Sequence, residues 1–509
     1  MTCVSACLIV RDEEANIDAC LETLQPFVDE VVVVDTGSTD RTVELARAHG
    51  ARVFETAWQE DFALARNHAL DQARGDWILS IDADELLDPE GAAGLRELLE
   101  GADAMAFLVW IDNLDGGRDS QGRPSYSSIA VPRLFRRVPE LRWERPLHET
   151  ITGGLERLRC GALEHSGLRL VHHGYLSEVV RERGKRERNQ RILEAHVERT
   201  PGDHYARYKL AVTNVTLGAS EEALEQLEAL RLQATELASG PRSRLDFLPL
   251  AAAEEARLLR QQGRLGEAAS LCGEGLDEWE GVGELHFEAA EVERASGELE
   301  AATEHYAAAL ESRPWSELHP GRPEARGWAA WLGLARVALL AGDPALALEH
   351  AGRALALAPN SDEAQALAVR LRAVAGEEGQ AWSDLSRLLD SSPGSEHART
   401  LAAEMAWSRG EVETACALWD TLRGSSEPAS LAACWRVLAA LGRGDLEVAR
   451  EELVTLRPRD LPEAGILKLA SEELGQPLRV DPRIRPEALE GEVAAWRLEL
   501  ERARPQAHG

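Results

Sequence analysis

The sequence predicts two architectures in tandem: an α/β amino-terminal domain on a mostly parallel sheet, then an all-α solenoid of helical repeats. Three observations predict it. Up to about Ile81, short β-branched runs alternate with stretches whose apolar residues recur at helical spacing. Acidic clusters stand directly after three of those strands. From about Pro201 the strand pattern gives way to Ala, Leu and Glu punctuated by regularly spaced glycines.

Val4–Val10 reads as the first strand, followed by the polar loop Arg11–Ala15. Ile17, Leu21, Leu24 and Val28 then mark a helix. Val31–Val34 is an unbroken apolar run, as expected of a parallel strand covered on both faces. It ends in Asp35-Thr36-Gly37-Ser38-Thr39-Asp40, where Gly37 permits the turn and Ser38, Thr39 or Asp40 suit a helix cap. The next helix runs to Gly50, Val53 and Phe54 form a third strand, and Phe62–Ala73 is helical. Trp77–Ile81 is the fourth strand and leads into Asp82-Ala83-Asp84-Glu85.

Carboxylates at the carboxyl ends of parallel strands sit where such sheets bind ligands. Asp35 is placed for a ribose or base edge. Side chains alternate with period two, so Asp82 and Asp84 are expected on one side of the extended chain, as suits Mg²⁺ or Mn²⁺. Two familiar nucleotide sites are missing: the first strand is followed by neither Gly-x-Gly-x-x-Gly nor Gly-x-x-x-x-Gly-Lys-Ser/Thr. Without a glycine cradle, phosphates need a metal. Beyond Gly91, Ala104–Ile111 and Val131–Arg137 read as strands, and Asn113–Ser128 as an exposed loop that could serve as a lid.

The chain has 509 residues, enough for two or more domains, and a formal net charge of -32. That charge argues against nucleic acid or an anionic membrane as partner. Its 7 cysteines are scattered with no Cys-x-x-Cys, as expected of reduced thiols in a cytoplasmic protein. No signal peptide is expected at the amino terminus, and no apolar run approaches the roughly 20 residues of a membrane span.

The motif set Leu8–Ile17, Val32–Asp40, Ala65-Arg66-Asn67 and Asp82–Glu85 resembles the family 2 glycosyltransferases, which have the nucleotide-sugar-binding GT-A fold. The resemblance covers roughly residues 3–180. It implies that Glu13 and Asp35 hold the nucleoside, that Arg66 and Asn67 line the nucleotide pocket, and that Asp82 sits by the ribose or metal. It implies that Asp84 binds the metal bridging the diphosphate. Asp12 and Thr36 depart from the commoner Asn and Asp. Two later places match the family's His-Glu and His-x-Gly-Tyr. In that register Glu149 becomes the general base for an inverting transfer, and His172 a further metal ligand.

The carboxy-terminal part repeats. Glycines recur with an alanine five residues on, at Gly218/Ala223, Gly263/Ala268, Gly297/Ala302, Gly342/Ala347, Gly376/Ala381, Gly410/Ala415 and Gly444/Ala449. A small residue precedes many of them by seven: Ala211, Ala256, Ala290, Ala335 and Ala403. Four steps are 34 residues long and two are 45, with the extra length near Leu237–Leu248 and Trp315–Gly327. The pattern resembles the tetratricopeptide repeat, whose solenoids bind peptide or protein or act as spacers. The expected layout is a transferase domain at 1–180, a linking helix at 181–200, a repeat solenoid at 201–475, and a capping helix and tail at 476–509.

The reading is therefore a metal-dependent transferase. It moves a sugar from a nucleoside-diphosphate-sugar donor to an acceptor, with a peptide, protein or glycan presented by the solenoid as the candidate. The alternative is a repeat scaffold whose first domain binds nucleotide without turnover. A sugar nucleotidyltransferase needs a glycine-rich loop after the first strand, and that loop is missing.

Overall fold

The computed structural model describes residues 2–118, 124–159, 163–172, 179–237, 245–316, 319, 321–422, 427–455, 461–474 and 486–503. The chain divides into two compact units, Met1–Arg242 and Ser243–Gly509.

The first unit is built on an eight-stranded sheet. Strands β1 (Val4–Val10), β2 (Glu30–Asp35), β3 (Arg52–Glu55) and β4 (Trp77–Ser80) alternate with helices α1 (Ile17–Leu24), α2 (Thr42–Ala48) and α3 (Phe62–Gln72). Then come β5 (Glu85–Leu87), α4 (Pro89–Ala92), α5 (Leu95–Glu100), β6 (Ala106–Arg118), β7 (Pro124–Arg136), α6 (Thr152–Arg157) and β8 (Glu164–His172). The strand order is β3-β2-β1-β4-β7-β6-β8-β5. β1 to β4 pair in parallel; β7 joins β4 antiparallel.

Both faces of the sheet are covered, as the run-on apolar strands predict. Val4, Ala6, Leu8 and Val10 pack with Ile17, Leu21 and Leu24 on one side. Cys7, Val32 and Val34 pack with Ala63, Ala69 and Leu70 of α3 on the other. The period-two alternation of β1 divides its side chains between the two cores.

The expected loop at Asn113–Ser128 is a correction: it belongs to the hairpin of β6 and β7, which pair as Ile111↔Ile129, Asp112↔Ser128 and Asn113↔Ser127. Polar composition hid the strands, but their side chains find partners. Asp112 accepts from Ser128 Oγ at 2.5 Å and from Arg169 Nε at 2.7 Å. Residues 119–123 lie outside the described residues.

The charged stretch expected as a linking helix forms α7 (Val179–Arg199). It is followed by α8 (His204–Leu217) and α9 (Ser220–Thr235), all within the first unit. Ile192, Leu193 and Val197 of α7 bury against Leu147 and against Ala206 and Leu210 of α8.

The second unit stacks helix pairs. Gly263, Gly297, Gly342, Gly376, Gly410 and Gly444 all have φ between 74° and 87°, the left-handed conformation that ends one helix and lets the next turn back. Ala268, Ala302, Ala347, Ala381, Ala415 and Ala449 are fully buried, as are Ala256, Ala290, Ala335 and Ala403. Small residues at these positions let paired helices approach closely. The segment at the second long step folds onto helix Gly283–Ser296: Arg322 Nη2 lies 2.5 Å from Glu288 Oε1, and Arg326 Nε 3.2 Å from Glu284 Oε1. Helix Pro486–Ala503 buries Val493, Trp496 and Leu500 with Val437, Leu438 and Ile466. Leu265 and Ala295 of early repeats share a cluster with Ala464, so helices near the carboxyl terminus touch early ones.

Candidate active site

The loop after β1 and the turn after β2 are joined by reciprocal hydrogen bonds. Asp12, at φ 56°, donates its N–H to Ser38 Oγ at 2.9 Å and accepts from the N–H of Thr39 at 2.7 Å. The N–H groups of Glu13 and Glu14 go to Thr42 Oγ1 (2.7 Å) and Asp40 Oδ2 (3.0 Å). Glu13 Oε2 accepts from Asn16 at 2.8 Å. Asp35 is buried, and its carboxylate accepts the N–H groups of Gly37 (3.0 Å) and Ser38 (3.2 Å). Of the three residues read as helix caps, Asp40 does hold the N–H of Thr42, at 3.0 Å. Ser38 and Thr39 instead tie the turn to Asp12, because the neighbouring loop offers them partners that the sequence could not display.

Arg66 is the centre of the site. It lies on α3, buried under Trp143, whose ring centroid is 5.2 Å from the guanidinium carbon. Its Nε donates to Glu149 Oε1 at 2.5 Å, Nη1 to Ser80 Oγ at 3.1 Å and Nη2 to Asp82 Oδ1 at 2.8 Å. Burial opposes its charge, but the facing Asp82 and Glu149 outweigh that and hold its pKa above the ordinary value. Asn67 turns elsewhere. Its Nδ2 donates to the carbonyl of Trp143 at 2.9 Å and its Oδ1 accepts the Trp143 N–H at 3.0 Å, fixing the segment that carries Glu149.

The two aspartates do not share a side. β4 ends at Ser80, so strand alternation does not extend to Asp82 and Asp84. Asp82 faces two guanidinium groups, accepting from Arg66 and from Arg133 Nη2 at 3.0 Å. Burial would raise its pKa, but Arg66 and Arg133 hold the carboxyl well below the usual range. Asp84 faces β8: its Oδ2 lies 3.1 Å from His172 Nε2, and His172 Nδ1 lies 2.8 Å from Asn113 Oδ1. The hydrogen bond to Asp84 raises the pKa of His172 despite partial burial.

Asp84 and His172 fit a divalent ion in one respect. Their facing atoms are about 3 Å apart, as neighbouring ligands of one octahedral ion are when bonds are near 2.1 Å. Among the described residues no group of three His, Cys, Asp or Glu could hold a metal. Mg²⁺ and Mn²⁺ sites at phosphates commonly take one or two protein ligands and complete the shell with phosphate oxygens and water. The His-x-Gly-Tyr match continues into residues 173–175, which lie outside the described residues.

The glycosyl transferase family 2 model matches residues 5–159. A TPR repeat-containing protein of Synechococcus elongatus is 32% identical over 366 residues, 70% of this chain and 76% of its own. The SPbeta prophage-derived glycosyltransferase SunS of Bacillus subtilis is 23% identical over 227 residues, 43% of this chain and 51% of its own. A solved structure of S. aureus TarS 1-349 in complex with UDP-GlcNAc is 18% identical, covering 51% of this chain and 90% of that one, with a TM-score of 0.33.

The chain belongs to the family 2 glycosyltransferases that carry tetratricopeptide repeats.

In this glycosyltransferase, sequence reasoning missed Arg133 and undervalued Glu85. Arg133 comes from β7, partly buried, with Nη2 3.0 Å from Asp82 Oδ2 and 3.7 Å from Glu85 Oε1. Glu85 is buried and accepts the N–H of Asp82 at 2.8 Å; burial pushes its pKa up to about 7. The available signal was an arginine inside the otherwise apolar run Val131–Phe135, which implies a buried acidic partner. Among the described residues, Cys3, Cys7, Cys20, Cys272, Cys416 and Cys434 are free thiols. Among the described residues no helix is long and apolar enough to cross a membrane.

Proposed function

We propose that this glycosyltransferase transfers a sugar from a nucleoside-diphosphate donor to an acceptor hydroxyl with inversion, using Glu149 as general base. One observation carries the reading: Arg66 joins Glu149 directly to Asp82, so the carboxylate assigned to the acceptor stands beside the acidic strand end assigned to the donor. Glu13 and Asp35 are assigned to the nucleoside, with Asp35 acting through the turn it holds. Arg66 and Asn67 position the pocket, and Asp82 orients Arg66 and Arg133. Asp84 and His172 would hold Mg²⁺ or Mn²⁺, which when bound neutralises charge on the leaving diphosphate.

The chain's own residues then have defined tasks. Glu149 takes the acceptor proton as the acceptor oxygen bonds to the anomeric carbon and the bond to the diphosphate breaks. Arg66 keeps that carboxylate aimed. The repeat unit is assigned to holding the acceptor or a protein partner. The test is a panel of nucleoside-diphosphate sugars with Mn²⁺, comparing wild type with Glu149→Gln. Turnover by the wild type and a loss of roughly a hundredfold or more in Glu149→Gln are expected. Binding of nucleotide without turnover of any donor would favour the scaffold reading instead.

A further inference from the structure

Next to Glu149 lies a second chemical surface that the transfer scheme leaves unused. The loop from Trp143 to Glu149 contains two non-glycine residues in the left-handed region, Arg145 at φ 74° and His148 at φ 54°. Such conformations are costly for side-chain-bearing residues and persist only where the surroundings enforce them. Here the enforcement is visible. Glu144 and Thr150 exchange backbone hydrogen bonds at 2.9 and 3.1 Å, and the Pro146 carbonyl accepts the N–H of Phe62 at 2.9 Å. Leu147 is buried against α7 and α8. Arg145 Nε lies 2.8 Å from Asp203 Oδ2, and Asp203 also caps α8 by accepting the N–H of Ala206 at 3.1 Å.

The outcome is that His148 faces α8. Its ring is 6.5 Å from that of Tyr205 at an interplanar angle of 81°, and it keeps solvent access. The guanidinium of Arg145 lies 5.0 Å from the Tyr205 ring centroid. Lys209 follows Tyr205 by one helical turn and shares its face. Asp203 pairs with Arg145 and His196, and Lys209 shares in neither pair. Among the described residues its ammonium has no ion-pair partner, in a chain whose formal net charge is -32 and whose other lysines are Lys185 and Lys468. Burial lowers its pKa. Partial desolvation of the ring where it faces α8, then the charges of Lys209 and Arg145, also hold His148 well below its ordinary value. A cation partly stripped of water and given no acid favours an anion from outside.

We propose that Lys209 and His148, with Tyr205 as one wall and Arg145 as the positioning residue, form a subsite for an anionic oxygen group, phosphate or carboxylate, on the acceptor. It adjoins Glu149 in the chain, so an acceptor anchored there by its charge brings a neighbouring hydroxyl to the base. The assignment to the acceptor rests on the transferase reading; the anion subsite itself does not.

The experiment uses this chain's three lysines. Full-length protein is acetylated with limiting reagent at neutral pH and the rates at Lys185, Lys209 and Lys468 are read by mass spectrometry. It is done alone, with inorganic phosphate, with UDP, and with both. Phosphate is expected to slow Lys209 several-fold without changing the other two, UDP alone to leave Lys209 unprotected, and phosphate to protect it still when UDP is saturating. No protection by phosphate overturns the subsite. Protection of Lys209 by UDP alone assigns it to the donor diphosphate and overturns the acceptor assignment. In parallel, Lys209→Met should lose phosphate binding in isothermal titration while keeping UDP affinity and melting temperature, and Lys209→Arg should restore the binding. Once an acceptor is in hand, Lys209→Met should raise its KM roughly tenfold or more and leave the donor KM unchanged. An unchanged acceptor KM would overturn the assignment. These labelling results stand whether or not transfer is detected, so failure of the subsite and failure of the transferase reading are separable.

Discussion

Arg66 and Glu149 are joined side chain to side chain at 2.5 Å across 83 positions of sequence. The guanidinium is buried, and its second branch holds Asp82 at 2.8 Å. Replacing it by Met leaves two carboxylates without their shared counter-charge. Arg66→Met should therefore lose stability on the order of 3 kcal/mol in urea unfolding. Arg66→Lys keeps a charge but cannot serve Glu149, Ser80 and Asp82 together, so it should fold and still lose transfer. An Arg66→Lys enzyme with wild-type kcat would remove Arg66 from the site.

The Asp84 and His172 pair predicts metal behaviour. Asp84→Ala should abolish donor turnover and weaken Mn²⁺ binding in the presence of UDP, while the unfolding midpoint stays close to wild type. Isothermal titration of Mn²⁺ into the UDP complex measures the second effect. Full activity in chelator would refute the metal role.

The second unit should be acid-sensitive through Glu291. Burial would raise its pKa, but Arg294 Nη2 at 3.0 Å, Arg260 Nη1 at 3.6 Å and the Tyr306 hydroxyl hold it below the ordinary 4.5. A depressed pKa means the folded state binds this proton more weakly than the unfolded chain. The stabilisation is therefore present above the unfolded value near 4.5 and is lost as pH falls through the folded pKa. Glu291→Gln should melt lower at pH 7 and show a flatter decline in stability below pH 4.5 than the wild type. Parallel pH profiles for the two proteins would contradict this.

Tyr306 also constrains Gly333. A Cβ on Gly333 would meet Tyr306 Cζ at 2.2 Å. Gly333→Ala must displace a fully buried ring that bonds Glu291, so it should destabilise the second unit by about 1–3 kcal/mol despite the better helix propensity of alanine. An unchanged melting temperature would show that the ring moves freely.

The units part after Arg242. A chain ending there should keep UDP binding and slow donor hydrolysis. If the repeats hold the acceptor, transfer to it should fall through acceptor KM, because binding energy from a remote surface is lost. Equal transfer by both lengths would assign the repeats to spacing or assembly.

What the sequence by itself determined is local. Gly297 needs a left-handed backbone and Ala302 a close helix contact, and both needs recur at a fixed spacing that a single chain displays. The β-branched runs of β1 and β2 announce a sheet buried on both faces in the same way. What only the tertiary structure decided is which polar groups meet. Arg66, Asp82, Arg133 and Glu149 come from α3, the end of β4, β7 and a loop, and no spacing rule relates them. Period-two alternation joined Asp82 to Asp84, but the strand stopped at Ser80 and the two turned to different partners. A buried charge goes to whichever opposite charge the packing brings within reach, and that choice is made in three dimensions.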